Sequence, residues 1–486
     1  MLHAALDEYP QSTVLLKIHP DVLHGRKRGH YDWRAWSRHP RVRVMAQDWH
    51  PASVLPHARA VYCVTSQLGF EALLWGRPVR CFGMPFYAGW GLTTDARPAP
   101  AGRRTPRPMA ALVHGSLIAY PRYRHPETGL RCEVEPLLDW MGLQRRMRER
   151  FPAQVVAQGF SPLKRPVVRR FFQGSQVRFT WGTRSKPPGI TRVRWGRADP
   201  DDDVLHLEDG FLRSVGLGAD LVRPISWVVD RRGMYFDASR PSDLEHLLQH
   251  HPFTDEERAR GQRLREMVVA QGLTKYNVGQ STWQRPRTDG PVLLVVGQVE
   301  SDASLAWGAP DIRSNMALLR RVRECSPDAH LIYKPHPDVV AGLRRASTDE
   351  GEARQWCDEL ITDTSMHTLL SGVDEVHTLT SLSGFEALLR GKPVVCHGMP
   401  FYAGWGLTTD VVPADHPSRE RRQRRLRLDE LVAGALLLYP TYVSHSTGRF
   451  TTPERAIDEL LALRKLSQPP SWWTALRRTL LRRIAR

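Results

Sequence analysis

The chain alternates short apolar runs with amphipathic segments of helical spacing. Apolar runs typical of buried strands occur at residues 14–18, 291–296 and 331–334. Two further runs, at 59–64 and 373–379, are followed by hydroxyl residues and then by the helix-like sequence GFEALL. Because strands that alternate with helices usually form a parallel sheet covered on both faces, the pattern predicts an α/β fold of the doubly wound type.

A long internal repeat divides the chain. Residues 69–95 and 384–410 are identical at 23 of 27 positions, at an offset of 315 residues. Similar tails follow at 119–129 and 438–448. A repeat with this period is a duplicated domain-sized module and not the unit of a solenoid. Because the residues between about 155 and 330 have no earlier copy, we predict one complete module preceded by a partial one.

The composition is that of a globular protein with an unusual charge. The length of 486 residues suggests two to four folding units, and an apolar content of 41% allows large cores. Lys and Arg number 69 against 51 Asp and Glu, which gives a net charge of +18. Such a chain attracts anionic partners, although arginine-rich composition also reflects GC-rich genomes. No nucleic-acid-binding signature is present, so acidic lipid or a phosphorylated substrate is the expected partner.

The cysteines and the apolar segments indicate a cytoplasmic protein. No CxxC pair occurs, so neither a zinc site nor a disulfide framework is expected. No signal peptide precedes the first strand, and no apolar run approaches the roughly 20 residues that cross a bilayer. The six cysteines are scattered along the chain: Cys63, Cys81, Cys132, Cys325, Cys357 and Cys396.

The last sixteen residues have an amphipathic pattern of their own. Residues 471–486 read SWWTALRRTLLRRIAR, with Trp, Leu and Ile on one helical stripe and arginines on much of the rest. A basic amphipathic helix of this kind is typical of segments that lie on an anionic membrane. A disordered basic end, or a helix docked on the protein, are the alternatives.

The first motif with chemical character is KPHPD, in which Lys334 and His336 follow a strand; KIHPD at 17–21 repeats it. Ligands of open parallel sheets bind at the carboxyl edge of the strands, and both side chains can bind phosphate oxygens. The pattern therefore predicts a phosphate-binding site. A strand-end turn that is fixed by the prolines and capped by His is the alternative.

The second motif, SLSGFE, places Ser381, Ser383 and Gly384 at the start of a predicted helix. Hydroxyls and free N–H groups at a helix N-terminus can bind an anion, and Glu386 could reach ribose hydroxyls. A capped amphipathic helix is an equally good interpretation.

The aromatic loop PFYAGWG at 400–406 could cover a nucleotide base, but packing between domains is favoured.

Acidic residues at two strand ends form the third feature. Glu208 and Asp209 precede Arg213 in the sequence EDGFLRS, and Asp302 follows the most apolar strand in GQVESDAS. Strand-end carboxylates from two halves of a module can face each other across a cleft. Glycosyl transfer needs such a pair, one as nucleophile or ion stabiliser and one as acid or base. Helix capping or pairing with arginine is the alternative.

Five strings together resemble the capsule polysaccharide biosynthesis family, and within it the KpsC-type transferases of the acidic sugar Kdo: EDGFLRS, GQVESDAS, KPHPD, SLSGFEALLRGKPV and GMPFYAGWGLT. The resemblance covers nearly the whole chain. It implies glycosyltransferase modules of GT-B type, each built from two Rossmann-like domains. It also implies retaining transfer from CMP-β-Kdo, which builds the poly-Kdo linker of capsular polysaccharide on lysophosphatidylglycerol for export.

The resemblance further implies a role for each predicted residue. Asp302 would be the nucleophile, Glu208 or Asp209 the acid/base, and Arg213 a partner for a sugar carboxylate. Neither a metal nor a cofactor is expected besides the donor CMP-β-Kdo. The expected partners are the lipid-linked Kdo acceptor, the anionic cytoplasmic face of the inner membrane and other capsule proteins. The remaining residues would hold the CMP-sugar: Lys334, His336, Ser381, Ser383, Gly384 and Glu386.

The resemblance also gives domain ranges. Residues 1–150 would be a first module that is N-terminally truncated to its nucleotide-binding half, as in a truncated or split gene, and therefore catalytically silent. Residues 155–290 would be the acceptor-side domain of the second module, 291–465 its CMP-sugar-binding domain, and 471–486 the tail. A non-catalytic scaffold of capsule assembly, or a GT-B transferase of another activated sugar, remain alternatives.

Overall fold

The chain folds into two compact units, Met1–Leu137 and Leu138–Arg486. The tail predicted at 471–486 lies outside the described residues. Within the described part of the chain, no helix is both long and apolar enough to cross a bilayer. The computed structural model describes residues 1–29, 32–46, 49–103, 105–181, 189–197, 204–215, 223–275, 283–340 and 350–466.

The first unit contains two small parallel sheets and a hairpin. The pairs β1–β2 and β3–β4–β5 are parallel, and β6–β7 is antiparallel. The strands are β1 (Val14–Lys17), β2 (Val42–Met45), β3 (Val61–Cys63), β4 (Val79–Cys81), β5 (Thr94–Asp95), β6 (Tyr123–Arg124) and β7 (Arg131–Cys132). The helices are α1 (Leu2–Glu8), α2 (Pro20–Leu23), α3 (Trp33–Trp36), α4 (Leu68–Leu74) and α5 (Met109–Val113), and α6 (Val134–Glu149) begins in this unit and continues into the second.

The second unit is built on two larger sheets. Its strands are β8 (Gln154–Gln158), β9 (Gln176–Thr180), β10 (Thr191–Trp195), β11 (Val204–Asp209), β12 (Ser226–Asp230), β13 (Val292–Val296), β14 (His330–Lys334), β15 (Glu359–Leu360), β16 (Glu375–Thr378), β17 (Val394–Cys396), β18 (Thr409–Asp410), β19 (Thr441–Val443) and β20 (Phe450–Thr451). Its helices are α7 (Arg165–Phe171), α8 (Asp243–His250), α9 (Asp255–Ala270), α10 (Ala303–Gly308), α11 (Asn315–Cys325), α12 (Pro337–Val340), α13 (Met366–Gly372), α14 (Leu382–Leu389), α15 (Pro417–Arg421), α16 (Leu428–Val432) and α17 (Pro453–Leu466).

One of these sheets is fully parallel. Its six strands lie in the order β15-β14-β13-β16-β17-β18, which is the order 3-2-1-4-5-6 of a doubly wound sheet. Every residue of the central strand β13 is buried, as expected for a strand with helices on both faces. The apolar run that predicts this strand is explained by its place in the middle of the sheet. The mixed α/β class is confirmed.

The other sheet has seven strands in the order β20-β19-β12-β11-β10-β8-β9. Strands β8 to β11 are parallel, whereas β12, β19 and β20 are antiparallel to their neighbours. Thr441 and Tyr442 of β19 pair with Trp227 and Ser226 of β12. The sequence predicts one domain over 291–465. In the structure, however, β19 and β20 belong to the seven-stranded sheet that contains β8, and not to the parallel sheet. Local periodicity does not report which sheet a strand joins.

The division between the units falls inside α6, although the sequence suggested a boundary near 150. The Gln144 side chain donates to the Phe450 carbonyl at 2.7 Å and accepts from the Phe450 N–H at 3.2 Å. Arg150 donates to the Tyr439 carbonyl at 2.8 Å. The second half of α6 therefore packs on residues about 300 positions later in the chain, a separation that no local pattern indicates.

The two copies of the repeat share one tight contact. Tyr402 donates to the carbonyl of Ser381, and a Cβ atom at Gly384 would overlap the Tyr402 hydroxyl. Tyr87 and Gly69 make the same close approach in the first copy. The glycine of GFEALL is therefore required by the tyrosine of PFYAGWG, which explains why these two parts of the repeat occur together.

Candidate active site

A cleft of about 1650 Å³ opens in the second unit, where the carboxyl ends of β11, β13, β14 and β16 meet. This is the edge at which ligands bind in open α/β sheets. Gly384 does not line the cleft. All the other predicted site residues do: Glu208, Asp209, Arg213, Asp302, Lys334, His336, Ser381, Ser383 and Glu386.

The two acidic residues at the end of β11 have different environments. The first four residues of the strand are buried, which carries the chain from the core to the cleft at Glu208. Burial, followed by the charge of Asp209, raises the pKa of Glu208 to about 7. Asp209 instead accepts a hydrogen bond from Arg213 Nε at 2.6 Å. The two neighbouring carboxyl groups therefore differ in their partners, because Arg213 pairs with Asp209 and not with Glu208.

Arg213 is committed to protein partners. It is 5% exposed, and besides Asp209 its Nη1 donates to the Ser214 hydroxyl at 2.8 Å. A buried guanidinium of this kind needs a carboxylate partner, since leaving it unpaired costs several kcal/mol. The predicted contact of Arg213 with a substrate carboxylate would compete with this pair.

Asp302 lies on the loop after β13 and caps α10, where its carboxylate accepts from the Ser304 N–H at 3.2 Å. It is nevertheless exposed in the cleft, and its charge contributes to raising the pKa of Glu208. Two hydrogen bonds hold this loop to the start of α11. The Gln298 N–H donates to Asn315 Oδ1 at 2.9 Å, and Asn315 Nδ2 donates to the Gln298 carbonyl at 2.8 Å. Asp302 can therefore cap α10 and still be reached by a substrate in the cleft.

The KPHPD motif turns at the end of β14. Lys334 is 7% exposed, and its Nζ donates to the Thr364 carbonyl at 2.7 Å. Burial lowers the pKa of Lys334 to about 8, so it remains mostly charged at neutral pH. The Nδ1 of His336 accepts from the Asp338 N–H at 3.1 Å, which is the capping geometry that the sequence allowed. Both side chains still border the cleft.

The N-terminus of α14 faces the same cleft. Ser381 is the N-cap, and its hydroxyl accepts from the Ser383 N–H at 3.2 Å. Glu386, one turn further, is 7% exposed and accepts from the Lys275 backbone N–H at 2.7 Å. Burial raises the pKa of Glu386. Gly384 serves packing against Tyr402, as described above.

Lys275 is a cleft residue that the sequence did not reveal. Its charge lowers the pKa of Glu208 and of Glu386 against the effect of burial, and it also lowers the pKa of the partly buried Tyr235. Lys275 also lines the cleft, so its positive charge acts on acidic groups from both halves of the site. A single lysine in a loop carries no periodic or paired signal, so only the folded chain shows it.

The aromatic loop packs in the core, as the favoured interpretation predicted. Phe401, Tyr402 and Trp405 are each at most 5% exposed. Phe401, which also lines the cleft, stacks on the buried Phe211 with ring centroids 4.5 Å apart. Within the described residues, no group of three or more His, Cys, Asp or Glu side chains is placed to hold a metal ion.

A family model described as "Capsule polysaccharide biosynthesis protein" matches residues 1–123, 197–277 and 268–442, which is well over half of the chain. The chain belongs to this capsule polysaccharide biosynthesis family. Among its relatives, the capsule polysaccharide modification protein LipA of Neisseria meningitidis serogroup A is 40% identical over 491 residues. That alignment covers 96% of this chain and 68% of LipA.

Solved structures of the capsule family are also similar. The β-Kdo 2,7 transferase of Thermosulfurimonas dismutans KpsC is 42% identical, with a TM-score of 0.54. The β-Kdo 2,4 transferase of the same protein is 31% identical, with a TM-score of 0.56. Each match covers 64% of this chain and 99% of the solved one. These comparisons confirm the KpsC-type resemblance that the five sequence strings indicated.

Proposed function

We propose that this chain is a retaining β-Kdo transferase that uses CMP-β-Kdo to extend the poly-Kdo linker of capsular polysaccharide on lysophosphatidylglycerol. The observation that carries the proposal is the pair formed by Glu208 and Asp302 in one cleft: a carboxyl group whose pKa is raised to about 7, opposite an exposed carboxylate. The similarity to two Kdo transferases supports the choice of sugar, and the two sheets that border the cleft support a GT-B arrangement.

In the first step, an oxygen of Asp302 attacks C2 of Kdo and the bond from C2 to the CMP phosphate breaks. Glu208 gives its proton to the departing phosphate, so that CMP leaves and a glycosyl ester with Asp302 remains. In the second step the acceptor hydroxyl attacks C2, its proton passes to Glu208, and Asp302 is released. Two displacements at C2 retain the configuration, and a pKa near 7 suits a group that gives and then takes a proton.

The donor would bind by its charge. Lys334, His336 and the N-terminus of α14 all border the cleft, and they would supply the cations and N–H donors that the CMP phosphate needs. Glu386 would accept from a ribose hydroxyl. The carboxylate of Kdo would approach Lys275, which lines the cleft and whose charge acts on Glu208 there.

The first unit is proposed to transfer no sugar by itself. Its repeat contains counterparts of the α14 region, but the described residues of this unit contain no counterpart of the EDGFLRS or GQVESDAS segments. Residues that are buried in the second copy are also exposed in the first. Phe86 is 47% exposed against 5% for Phe401, and Tyr120 is 88% exposed, whereas Tyr439 is 2% exposed.

The deciding experiment is transfer of Kdo from CMP-Kdo to a fluorescent acceptor that already bears one β-Kdo. Wild type should extend the acceptor, whereas Asp302→Ala should be inactive while still binding CMP. With Glu208→Gln, intact-mass analysis after incubation with CMP-Kdo should show a Kdo adduct that persists because the base is missing. Normal transfer by Asp302→Ala would refute the mechanism. Binding of CMP without any transfer by wild type would favour the scaffold alternative.

A peripheral location on the cytoplasmic face of the inner membrane, with contacts to other capsule proteins, belongs to the same proposal. It follows from the lipid acceptor and from the net charge of +18. Fractionation of cells that express the full chain tests it, since a protein found only in the soluble fraction at low salt would contradict it.

A further inference from the structure

A long segment of the second unit contains no acidic residue. Residues 151–198 include ten Lys and Arg and no Asp or Glu. In the fold, its described residues form β8, β9 and β10 at one end of the seven-stranded sheet, together with α7. The net charge of +18 is therefore not spread evenly, and one edge of this sheet carries a concentrated share of it.

Arginines of this segment border a second, smaller pocket. It has a volume of about 350 Å³ and lies between α7 and the turn between β19 and β20. Gln173 Nε2 donates to the Gly448 carbonyl at 3.0 Å and holds the two sides together. The pocket is lined by Arg169, Arg170, Gln173, His445, Ser446, Thr447, Gly448 and Arg449.

One carboxylate lies against this turn, because Glu459 accepts from the His445 N–H at 2.6 Å and from the Ser446 hydroxyl at 2.7 Å. Arg169, Arg170 and Arg449 are exposed and form no ion pair within the described residues. The Nε2 atom of His445 is buried and has no hydrogen-bond partner there. The matching turn of the first copy has Glu127 and Leu130 in place of Ser446 and Arg449, so the basic turn is specific to the second copy. An anion with several oxygens, such as a phosphodiester, would pair with the three guanidinium groups.

Exposed apolar side chains flank the same arginines. Leu163 is 76% exposed and Trp181 is 60% exposed. The guanidinium of Arg165 lies 5.6 Å from the Trp181 ring and 5.2 Å from Phe179, and that of Arg169 lies 5.0 Å from Phe179. Exposed Trp and Leu side chains among arginines are the composition of surfaces that lie at the headgroup level of a bilayer.

This face is continuous with the active-site cleft. Leu163 and Lys164, at the start of α7, line the cleft, as does Arg223. Arg223 also reaches the pocket side, where its Nη2 donates to the Ser444 carbonyl at 2.9 Å. A molecule that lies along α7 can therefore reach from the small pocket to the mouth of the cleft.

We propose that the α7 face, defined by Leu163, Lys164, Arg165, Arg169, Arg170, Trp181 and the turn at 445–449, docks on an anionic lipid surface, with the small pocket receiving a headgroup phosphate. The inference rests on the proposed function in one respect: a lipid-linked acceptor would then enter the cleft from the membrane side. Docking itself requires neither sugar nor donor.

Sedimentation of the full chain with lipid vesicles tests this proposal. Wild type should bind vesicles of phosphatidylcholine mixed with phosphatidylglycerol, and should bind pure phosphatidylcholine weakly. The triple variant R169S/R170S/R449S should bind the mixed vesicles roughly 100-fold more weakly, since each arginine at such a surface changes binding roughly fivefold. The matched control R231S/R263S/R287S removes three exposed arginines that form no ion pair in the described part of the chain; it should lose less than tenfold.

Trp181→Ala should weaken binding to both kinds of vesicle, because it removes an apolar contact. Equal losses in the two triple variants, or unchanged binding by R169S/R170S/R449S, would overturn the proposal and leave the tail at 471–486, intact in every variant, as the membrane contact.

Inorganic phosphate is the second probe. If it stabilises wild type but not R169S/R170S/R449S, and vesicle binding is the same in both, the pocket binds free anions and the lipid proposal is wrong.

The outcome is separable from that of the proposed function. Transfer to the soluble fluorescent acceptor involves no vesicle, so R169S/R170S/R449S should transfer at the rate of wild type. A protein that binds anionic vesicles through the α7 face but transfers no Kdo would contradict the proposed function only.

Discussion

Replacing Glu208 by Gln removes a carboxyl group that the cleft keeps protonated. Burial and the charge of Asp209 raise the pKa of Glu208 from 4.5 to about 7. Since one pKa unit corresponds to about 1.4 kcal/mol, ionising Glu208 costs on the order of 3 kcal/mol more in the folded protein than in the unfolded chain. An amide of the same shape carries no such cost, so the substitution should stabilise the protein wherever Glu208 would be ionised.

The raised pKa of Glu208 determines whether the stability of the protein rises or falls with pH. The unfolded chain loses this proton near pH 4.5, whereas the folded protein keeps it until about pH 7. Between these values the folded state binds more protons, so the stability of wild type falls as the pH rises. The cost is absent below the unfolded pKa and complete above the folded one. Relative to wild type, the free energy of unfolding of Glu208→Gln should rise by about 3 kcal/mol between about pH 4 and about pH 8.

Urea unfolding of both proteins across this pH range measures the difference. Asp209→Asn is the matched control, because it changes the neighbouring carboxyl but leaves Arg213 buried without its partner at 2.6 Å. That variant should be less stable than wild type at neutral pH. A difference between Glu208→Gln and wild type that does not vary with pH would show that Glu208 is ionised in the fold, and the acid/base assignment would lose its basis.

Three further substitutions test individual parts of the site. Asp302→Asn keeps a side chain that can cap α10, so activity should be lost while the melting temperature stays that of wild type; a large fall in melting temperature would instead indicate a mainly structural role. Gly384→Ala should lower stability by about 1–3 kcal/mol through overlap with the Tyr402 hydroxyl, and Tyr402→Phe should relieve part of that loss in a double-mutant cycle. Lys275→Met should raise the KM for CMP-Kdo and shift the alkaline limb of the kcat/KM profile to higher pH, because it removes a charge that lowers the pKa of Glu208, which must be protonated in the first step. Lys275→Arg should restore both, and an unchanged profile would contradict the position assigned to Lys275.

Much of the fold was predictable because parallel strands with helices on both faces have a distinctive composition. The central strand β13 is a short unbroken apolar run in which every residue is buried, as is typical of a strand covered on both faces. The return of β19 and β20 to the other sheet was not predictable. Thr441 pairs with Trp227 across more than two hundred residues, and such pairing depends on the whole fold.

The candidate site was predictable in its location and less so in its internal contacts. Because strand ends of one sheet edge converge, placing Glu208, Asp302 and Lys334 at strand ends was enough to bring them to one cleft. Which carboxyl pairs with Arg213, and where Lys275 lies, depend on side-chain geometry that no spacing rule contains. The residue roles remain predictions for the experiments above.

The return of the last strands also bears on where the protein can be shortened. A version ending at residue 440 would keep every residue assigned to the CMP-sugar, including Lys334 and Glu386. It would nevertheless lose β19, the neighbour of β12. The five residues of β12, all buried in the complete fold, would then form a bare apolar edge, and such edges pair with other chains. Binding of CMP and solubility would therefore separate in this protein, because the solubility of the seven-stranded sheet would depend on residues that follow the proposed CMP-sugar site.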